Sequence, residues 1–169
     1  MSEKKAPLLT GGCQCGAVRY ACYAGPSAVS ICHCRMCQKA VGGPFATFAE
    51  IRREDFAWTR GGPQTFRSSS LVERDFCGNC GTPLSSCEIG GPVIYLSTGS
   101  FDAPGRVVPT IEFGAESKLA WMATAKQLPS KTTAESLDAA KLSRIVSYQH
   151  PDHDTQDGWS PPPPLKDNR

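Results

Sequence analysis

The sequence carries little net charge and lacks any long apolar segment. These two features argue against a nucleic-acid partner and a membrane partner. Its 169 residues include 18 Lys and Arg against 16 Asp and Glu, which gives a formal charge of +2. A nucleic-acid-binding surface neutralises many phosphates, so we expect no nucleic-acid partner. Because no apolar run reaches the ~20 residues of a membrane span, we expect no membrane partner.

The N-terminal segment also lacks the features of a secretory signal. Among its first twelve residues the only apolar run is at positions 6–9, whereas the hydrophobic region of a signal peptide needs about 7–15 residues. We therefore expect a cytoplasmic protein. By length the chain is one domain, with residues 1–10 as an N-terminal leader and the polar, proline-rich residues 150–169 as a tail.

The chain does contain many cysteines, and their spacing distinguishes metal ligands from disulfides. The nine cysteines make up about 5% of the chain, below the ~8–10% of disulfide scaffolds. Cysteines two positions apart form a strained disulfide, whereas two sulfurs on one zinc ion lie roughly 3.8 Å apart without a bond. We therefore predict metal ligands for the clusters and buried structural roles for the isolated Cys22 and Cys87. The clusters are Cys13-x-Cys15, Cys32-x-Cys34-x-x-Cys37 and Cys77-x-x-Cys80.

Two of the clusters predict a closed structural site. Glycines flank them, in GCQCG at 12–16 and CGNCG at 77–81, and permit tight turns with positive φ that direct backbone N–H groups at the thiolates. A tetrahedral zinc ion with four cysteine ligands has no open position, so it serves the fold rather than catalysis. An iron–sulfur cluster or a redox pair is the competing interpretation. The four ligands are Cys13, Cys15, Cys77 and Cys80.

The middle cluster, Cys32, Cys34 and Cys37, predicts an open site. Three protein ligands with one open position is the arrangement of catalytic zinc. His33 would crowd the ion as a third consecutive ligand, and Met36 is expected to pack. Sulfur-rich zinc suits thiol chemistry better than hydrolysis, because metal binding deprotonates a substrate thiol. The candidate cations near these thiolates are Arg35, Lys39 and Arg74.

Turn residues and apolar alternation predict a mainly β domain. A capping box at Thr132-x-x-Glu135, followed by apolar residues at near-helical spacing, predicts a C-terminal helix within residues 131–149. A short helix is also compatible with residues 35–41. The expected strands are 17–23, 29–32 and 45–51, and the expected hairpins are 64–76 and 83–98.

Four segments together resemble one known family. They read GGCQCGAVRY at 11–20, CHCRMCQKA at 32–40, FCGNCGTPL at 76–84 and ESKLAW at 116–121. They are similar to the glutathione-dependent formaldehyde-activating enzyme family, also called the centromere protein V domain family. The resemblance covers about residues 11–125, and we take 11–130 as the zinc-binding domain.

The resemblance implies a fold, a metal content and a reaction. The fold is a β-tent of several coiled antiparallel β-sheets around zinc sites, with two zinc ions per chain. The reaction is that of a carbon–sulfur lyase, in which glutathione and formaldehyde are in equilibrium with S-hydroxymethylglutathione. Glutathione is thus the expected small-molecule partner, and Phe45, Lys118 and Trp121 are candidates for its pocket. The implied ligands are Cys13, Cys15, Cys77 and Cys80 for structural zinc, and Cys32, Cys34 and Cys37 for catalytic zinc.

Two other functions stay open from the residues alone. One is a non-catalytic zinc-binding module that binds a protein partner, and the other is a thiol redox or metal-sensing protein. The sequence does not identify the physiological thiol, and it leaves a homodimer open as an assembly state.

Overall fold

Strands dominate the structure, a computed structural model that describes residues 6–155, 159 and 160. The predicted mainly β class is confirmed. The strands are β1 (Leu9–Gly12), β2 (Arg19–Cys22), β3 (Ala28–Cys32), β4 (Ala46–Arg52), β5 (Phe56–Arg60), β6 (Gln64–Arg67), β7 (Val72–Phe76), β8 (Pro83–Glu88), β9 (Val93–Ser97) and β10 (Ile111–Phe113). The α-helices are α1 (Arg35–Val41), α2 (Thr133–Ser136) and α3 (Ala139–Leu142), and 3-10 helices span Arg53–Asp55, Thr98–Ser100, Pro104–Arg106, Ala115–Ser117 and Ala120–Gln127.

The strands form two sheets. The small sheet has the order β1-β2-β5, and the large sheet has the order β10-β3-β4-β9-β8-β7-β6. The predicted hairpins are present as β6–β7 and β8–β9, both antiparallel. The other strand pairs are antiparallel, and at one edge of the large sheet β10 pairs in parallel with β3. The long connection between these two strands lets the chain return to the same end of the sheet before pairing.

The main core lies between the two sheets. Tyr20 of β2 is fully buried, and its ring makes edge-on contacts with Trp58 and Phe101 at centroid distances of 6.0 and 5.5 Å. In β9 the side chains alternate, so that Ile94 and Leu96 point into this core. The cysteines outside the clusters, Cys22 and Cys87, are buried as predicted.

Both ends of the described chain contact the central part of the fold. Strand β1 begins at Leu9, within the expected leader, because it pairs with β2 in an antiparallel ladder. Near the other end, His150 is buried and its N–H donates to the Gln14 carbonyl at 2.7 Å. Residues 150–155 therefore begin with a residue that packs against the first cysteine loop. Residues 1–5, 156–158 and 161–169 lie outside the described residues.

The predicted C-terminal helix is present as two short helices. The capping box is confirmed, because the Glu135 N–H donates to Thr132 Oγ1 at 3.2 Å and the Thr132 N–H donates to Glu135 Oε2 at 2.6 Å. The helix divides because the Asp138 carboxylate accepts from the Lys141 N–H at 2.8 Å and starts α3. Its expected apolar face is not buried, since Ile145 is 58% exposed. No helix in the described part of the chain is long and apolar enough to cross a bilayer.

A buried ion pair joins β2 to the chain after β9. Arg19 donates from Nη1 and Nη2 to the two carboxylate oxygens of Asp102 at 2.8 and 2.6 Å, and Nη2 also donates to Asp154. Burial raises the pKa of Asp102, but hydrogen bonds from Arg19 and Thr10 outweigh it, and the net pKa is lowered. The Arg19–Asp102 ion pair therefore contributes to the free energy of unfolding above the ordinary carboxyl pKa of about 4. This contribution is lost as the pH falls through the lowered pKa of Asp102.

Replacing Arg19 with leucine is expected to lower the free energy of unfolding by about 3–5 kcal/mol, because Asp102 is left buried without its partner. Urea denaturation followed by circular dichroism measures the change. As a control, Arg52→Leu removes an ion pair with Glu54 whose side chains are 69% and 67% exposed, and it should cost at most ~1 kcal/mol. Equal losses in the two variants would contradict the assigned role of the buried pair.

Candidate metal centres

The structure brings four of the predicted ligand sulfurs together. The Sγ atoms of this four-cysteine site all lie within 4.8 Å of one another. The Cys15 sulfur is 3.6 Å from that of Cys13 and 3.7 Å from that of Cys77, close to the roughly 3.8 Å expected for thiolates around tetrahedral zinc. All of these cysteines are free, so the donor set fits one zinc ion. The four-cysteine site is Cys13, Cys15, Cys77 and Cys80.

Glycine turns and hydrogen bonds shape this site in the predicted way. Gly16 and Gly81 adopt φ values of +72° and +75°, the left-handed region that glycine enters without steric cost. The Val18 N–H donates to Cys13 Sγ at 3.2 Å. Such bonds stabilise a thiolate, so the turns prepare the sulfurs for a cation.

Without a cation the thiols of this site differ in acidity. Burial, followed by the neighbouring thiols, raises the pKa of Cys15 to about 12. Burial acts in the same direction on Cys80, but hydrogen bonds from Thr82 and from the Cys15 backbone outweigh it and lower the pKa of Cys80 to about 6. A bound divalent cation favours the thiolate form of every ligand. Metal binding is therefore expected to release protons from the more basic cysteines.

Residues 150–155, which sequence reasoning left without a role, cover the four-cysteine site. The His150 side chain packs so closely on Gly16 that a Cβ added there would lie 2.3 Å from the ring. Arg60 donates to the Thr155 carbonyl at 2.6 Å, and Arg19 donates to Asp154 at the same distance. These arginines on β5 and β2 anchor the segment, and the local sequence holds no signal that would have revealed it.

The sulfurs of the middle cluster also converge. Cys32 ends β3, Cys34 caps α1 and Cys37 lies within α1, and their Sγ atoms lie within 4.8 Å of one another. No fourth His, Cys, Asp or Glu among residues 6–155, 159 and 160 joins this three-cysteine site, so its donor set fits a zinc ion with a position left for another ligand. His33 is directed elsewhere, with Nε2 3.4 Å from Glu112 Oε1.

The segment from β10 to residue 117 supports the three-cysteine loop. The His33 N–H donates to the Phe113 carbonyl at 2.9 Å. Gln38 bridges the two segments, since Nε2 donates to the His33 carbonyl at 2.9 Å and to the Ser117 carbonyl at 3.0 Å. Gly114 has φ +65°, and a Cβ there would lie 2.7 Å from a backbone nitrogen of the loop. Sequence reasoning missed Gln38 and Gly114, which no spacing rule singles out.

One of the three predicted cations reaches a thiol of this site. Arg74 of β7 donates from Nη2 to Cys37 Sγ at 3.4 Å. Burial still raises the pKa of Cys37 to about 12. For Cys34, hydrogen bonds from the Cys37 backbone and from neighbouring thiols outweigh burial, and the pKa is lowered. Arg35 bonds a side chain of its own helix, and Lys39 is exposed on α1.

Two of the predicted pocket residues contact the neighbours of the three cysteines. The Phe45 ring lies 5.7 Å from the His33 ring, centroid to centroid. Lys118 forms an ion pair with Glu112 at 2.8 Å. Trp121 is 52% exposed. Phe45 and Lys118 thus help to hold the loop that carries the three-cysteine site.

A known family model matches the part of the chain that contains the two cysteine sites and their supporting segment. The family model described as glutathione-dependent formaldehyde-activating enzyme matches residues 8–117. The chain belongs to this family. The matched range contains all seven clustered cysteines and the segment from β10 to residue 117, so the resemblance drawn from the motifs is confirmed.

Two individual proteins are similar to this family member. A curated protein of Schizosaccharomyces pombe, named an uncharacterized lyase, is 32% identical over 90 residues. That alignment covers 53% of this chain and 65% of the relative, so the chain spans about 65% of the length of the relative it matches. A crystal structure of a Rhodobacter sphaeroides protein has a TM-score of 0.49 at 21% identity, covering 61% of this chain and 98% of that one.

Proposed function

We propose that the protein is a zinc-dependent carbon–sulfur lyase that acts on small-thiol adducts, with glutathione and formaldehyde as the first pair to test. Family membership supports the reaction class. The observation that carries the proposal is the three-cysteine site, whose sulfurs converge without a fourth protein ligand among the described residues. The four-cysteine site would hold a structural zinc ion, and Cys32, Cys34 and Cys37 would hold the catalytic one.

The proposed chemistry begins with a thiol that is weakly ionised in water. A thiol of pKa near 8.5 is only about 3% thiolate at pH 7. A zinc ion held by Cys32, Cys34 and Cys37 would act as a Lewis acid that lowers the pKa of a substrate thiol and fixes the direction of its sulfur. The thiolate sulfur attacks the carbonyl carbon, a C–S bond forms, the carbonyl π pair moves to oxygen, and the proton lost by the thiol ends on the new hydroxyl. The reverse reaction breaks the same C–S bond.

The residues around the site hold the thiolates in fixed positions. The Arg74 guanidinium, 3.4 Å from Cys37 Sγ, offsets part of the negative charge that three thiolates bring together. Gln38 ties the loop to the segment after β10 through two carbonyls. Such support reduces the motion of the sulfurs, and positioning contributes most to a reaction with little covalent chemistry for side chains to perform.

Exchange NMR tests this proposal directly. Formaldehyde and glutathione are mixed with and without the protein, and the exchange rate between free and adduct signals is measured. We expect the protein to accelerate exchange at least ~10-fold at catalytic concentration. Cys87→Ser, which changes a cysteine outside both clusters, should keep that acceleration. An exchange rate equal to that in buffer would exclude the glutathione–formaldehyde pair and favour either another thiol adduct or the non-catalytic zinc module.

Metal content provides a second, independent test. The purified protein is expected to contain about two zinc ions per chain by elemental analysis. This follows from the two groups of sulfurs within 4.8 Å of one another and from the preference of thiolates for zinc. One zinc ion per chain would overturn the two-site assignment, and iron with visible absorbance would replace it with an iron–sulfur cluster.

The free state of all nine cysteines supports a reducing compartment, and we propose the cytoplasm as its location. The β-tent arrangement, the domain boundaries and a homodimer stay predictions from the sequence.

A further inference from the structure

A cavity of about 470 Å³ opens beside α1. Its walls come from α1 and from strands of the large sheet, and its size falls within the range of small-molecule sites. Two large apolar side chains at its border, Met36 and Phe66, are 52% and 63% exposed. Such exposure of apolar surface around a concave site is typical of a ligand-binding cavity. The apolar wall residues include Met36, Ala40, Val41, Phe48, Phe66 and Pro83.

The cavity and the three-cysteine site share wall residues. Val41 and Phe48 line the cavity and also pack in the apolar cluster that contains the three cysteines. Arg74 lines the cavity as well, and its Nη2 donates to Cys37 Sγ. A molecule with its sulfur at the three-cysteine site can therefore extend a substituent into this cavity.

The polar residues of the cavity are Lys39, Ser68, Arg74, Asp75, Ser85 and Ser97, and the charged groups of Arg74 and Asp75 are engaged in hydrogen bonds. The two carboxylate oxygens of Asp75 accept from Thr65 Oγ1 at 2.7 Å and from Ser85 Oγ at 2.5 Å. Arg74 uses Nε on Ser68 and Nη2 on Cys37. The walls therefore favour an apolar occupant, and formaldehyde, which has no substituent on its carbonyl carbon, would leave the cavity empty.

We propose that this cavity binds the apolar substituent of a larger aldehyde, so that the preferred adducts are thiohemiacetals of aldehydes with several carbons. This inference rests on the proposed lyase function and specifies its substrate. The bonds that break and form are the same as for formaldehyde. The C–S bond of the adduct breaks and its electron pair stays on sulfur. The hydroxyl oxygen then forms the carbonyl, and the hydroxyl proton ends on the thiol. Only the substituent on the carbon changes.

Two stable thioethers test the proposal without turnover. S-hexylglutathione is the hexanal adduct without its hydroxyl, and S-methylglutathione is the corresponding analogue of the formaldehyde adduct. Each buried methylene contributes about fourfold in affinity, so three buried methylenes should make the hexyl compound bind about 50-fold tighter. Isothermal titration calorimetry on the zinc-loaded protein measures both dissociation constants.

A variant that fills the cavity locates the binding. Ala40 lines the cavity and is exposed on α1, so Ala40→Phe places an aromatic ring in the cavity without disturbing the core, and it should reduce the ratio of the two affinities below about fivefold. The matched control Ala140→Phe changes an exposed alanine on α3 and should keep the full ratio.

The outcomes separate this inference from the proposed function. Formaldehyde exchange that is accelerated, together with equal affinities for the two thioethers, would overturn the inference and leave the lyase in place. A hexyl preference that Ala40→Phe leaves intact would also overturn it, since the binding site would lie elsewhere. A hexyl preference lost in Ala40→Phe supports the cavity assignment, and catalysed adduct formation with hexanal then decides whether the lyase proposal holds. Failure of both thioethers to bind would overturn the inference even if formaldehyde were turned over.

Discussion

Cys80→Ser is expected to remove most of the net stability of the protein and to reduce the zinc content from about two ions to about one per chain. The four-cysteine site joins parts of the chain that are far apart in sequence, since Cys15 and Cys77 are separated by 62 positions. A cross-link over such a distance removes much conformational entropy from the unfolded chain. It also lies within the main core, where Cys13 and Cys77 are buried.

The size of the effect follows from two energies. Structural zinc contributes about 10–16 kcal/mol in small peptides, and a domain has a net stability of only about 5–15 kcal/mol. For a chain of this length 1 kcal/mol corresponds to roughly 2–4 °C, so we expect the melting temperature to fall by at least ~10 °C, or the protein to fail to fold.

Thermal unfolding by circular dichroism, with zinc analysis of the same sample, checks this result. Cys87→Ser is the matched control, because Cys87 is buried but outside both sites. A Cys80→Ser variant with two zinc ions and a melting temperature near that of the control would show that the four cysteines hold no structural ion.

The sequence predicts the local features of this fold well. Alternation and turns located the hairpins β6–β7 and β8–β9, since side-chain period and loop composition act over a few residues. The cysteine clusters could also be predicted as metal ligands, because the spacing of ligands within each cluster is a local property of the sequence. Their convergence within 4.8 Å agrees with the two groups that spacing indicated.

The segments that complete the two sites could not be predicted in the same way. Strand β10 has three exposed residues, so no alternation marks it, and its parallel pairing with β3 depends on the large sheet already being formed. Residues 150–155 have the polar composition of a tail, and they are ordered by Arg19 and Arg60 on distant strands. Contacts that span most of the chain length leave no periodic signal in either partner.

Cys34→Ser is expected to abolish catalysed exchange between formaldehyde and glutathione while leaving the fold intact. Loss of residues that merely support a metal ligand typically costs 10–100-fold in affinity or activity, so loss of a ligand itself should cost at least about 100-fold. Exchange NMR measures the rate, and zinc analysis should show one ion retained.

The fold should survive because the three-cysteine site closes only a short loop. Cys34 and Cys37 are three positions apart, so an ion there removes little entropy from the unfolded chain. The loop also has supports that do not depend on metal, including the Gln38 hydrogen bonds to the His33 and Ser117 carbonyls. We therefore expect the melting temperature of Cys34→Ser to lie within about 5 °C of the Cys87→Ser control.

The two cysteine variants together decide the division of roles between the sites. Cys80→Ser should lose stability and one zinc ion, whereas Cys34→Ser should lose activity and the other ion at nearly unchanged stability. If Cys34→Ser melts as early as Cys80→Ser, the three-cysteine site stabilises the fold as well, and the division of roles between the two sites is wrong. If Cys34→Ser keeps full activity, the reaction does not depend on this ligand, because a residue that holds the reacting centre cannot be removed without slowing the reaction.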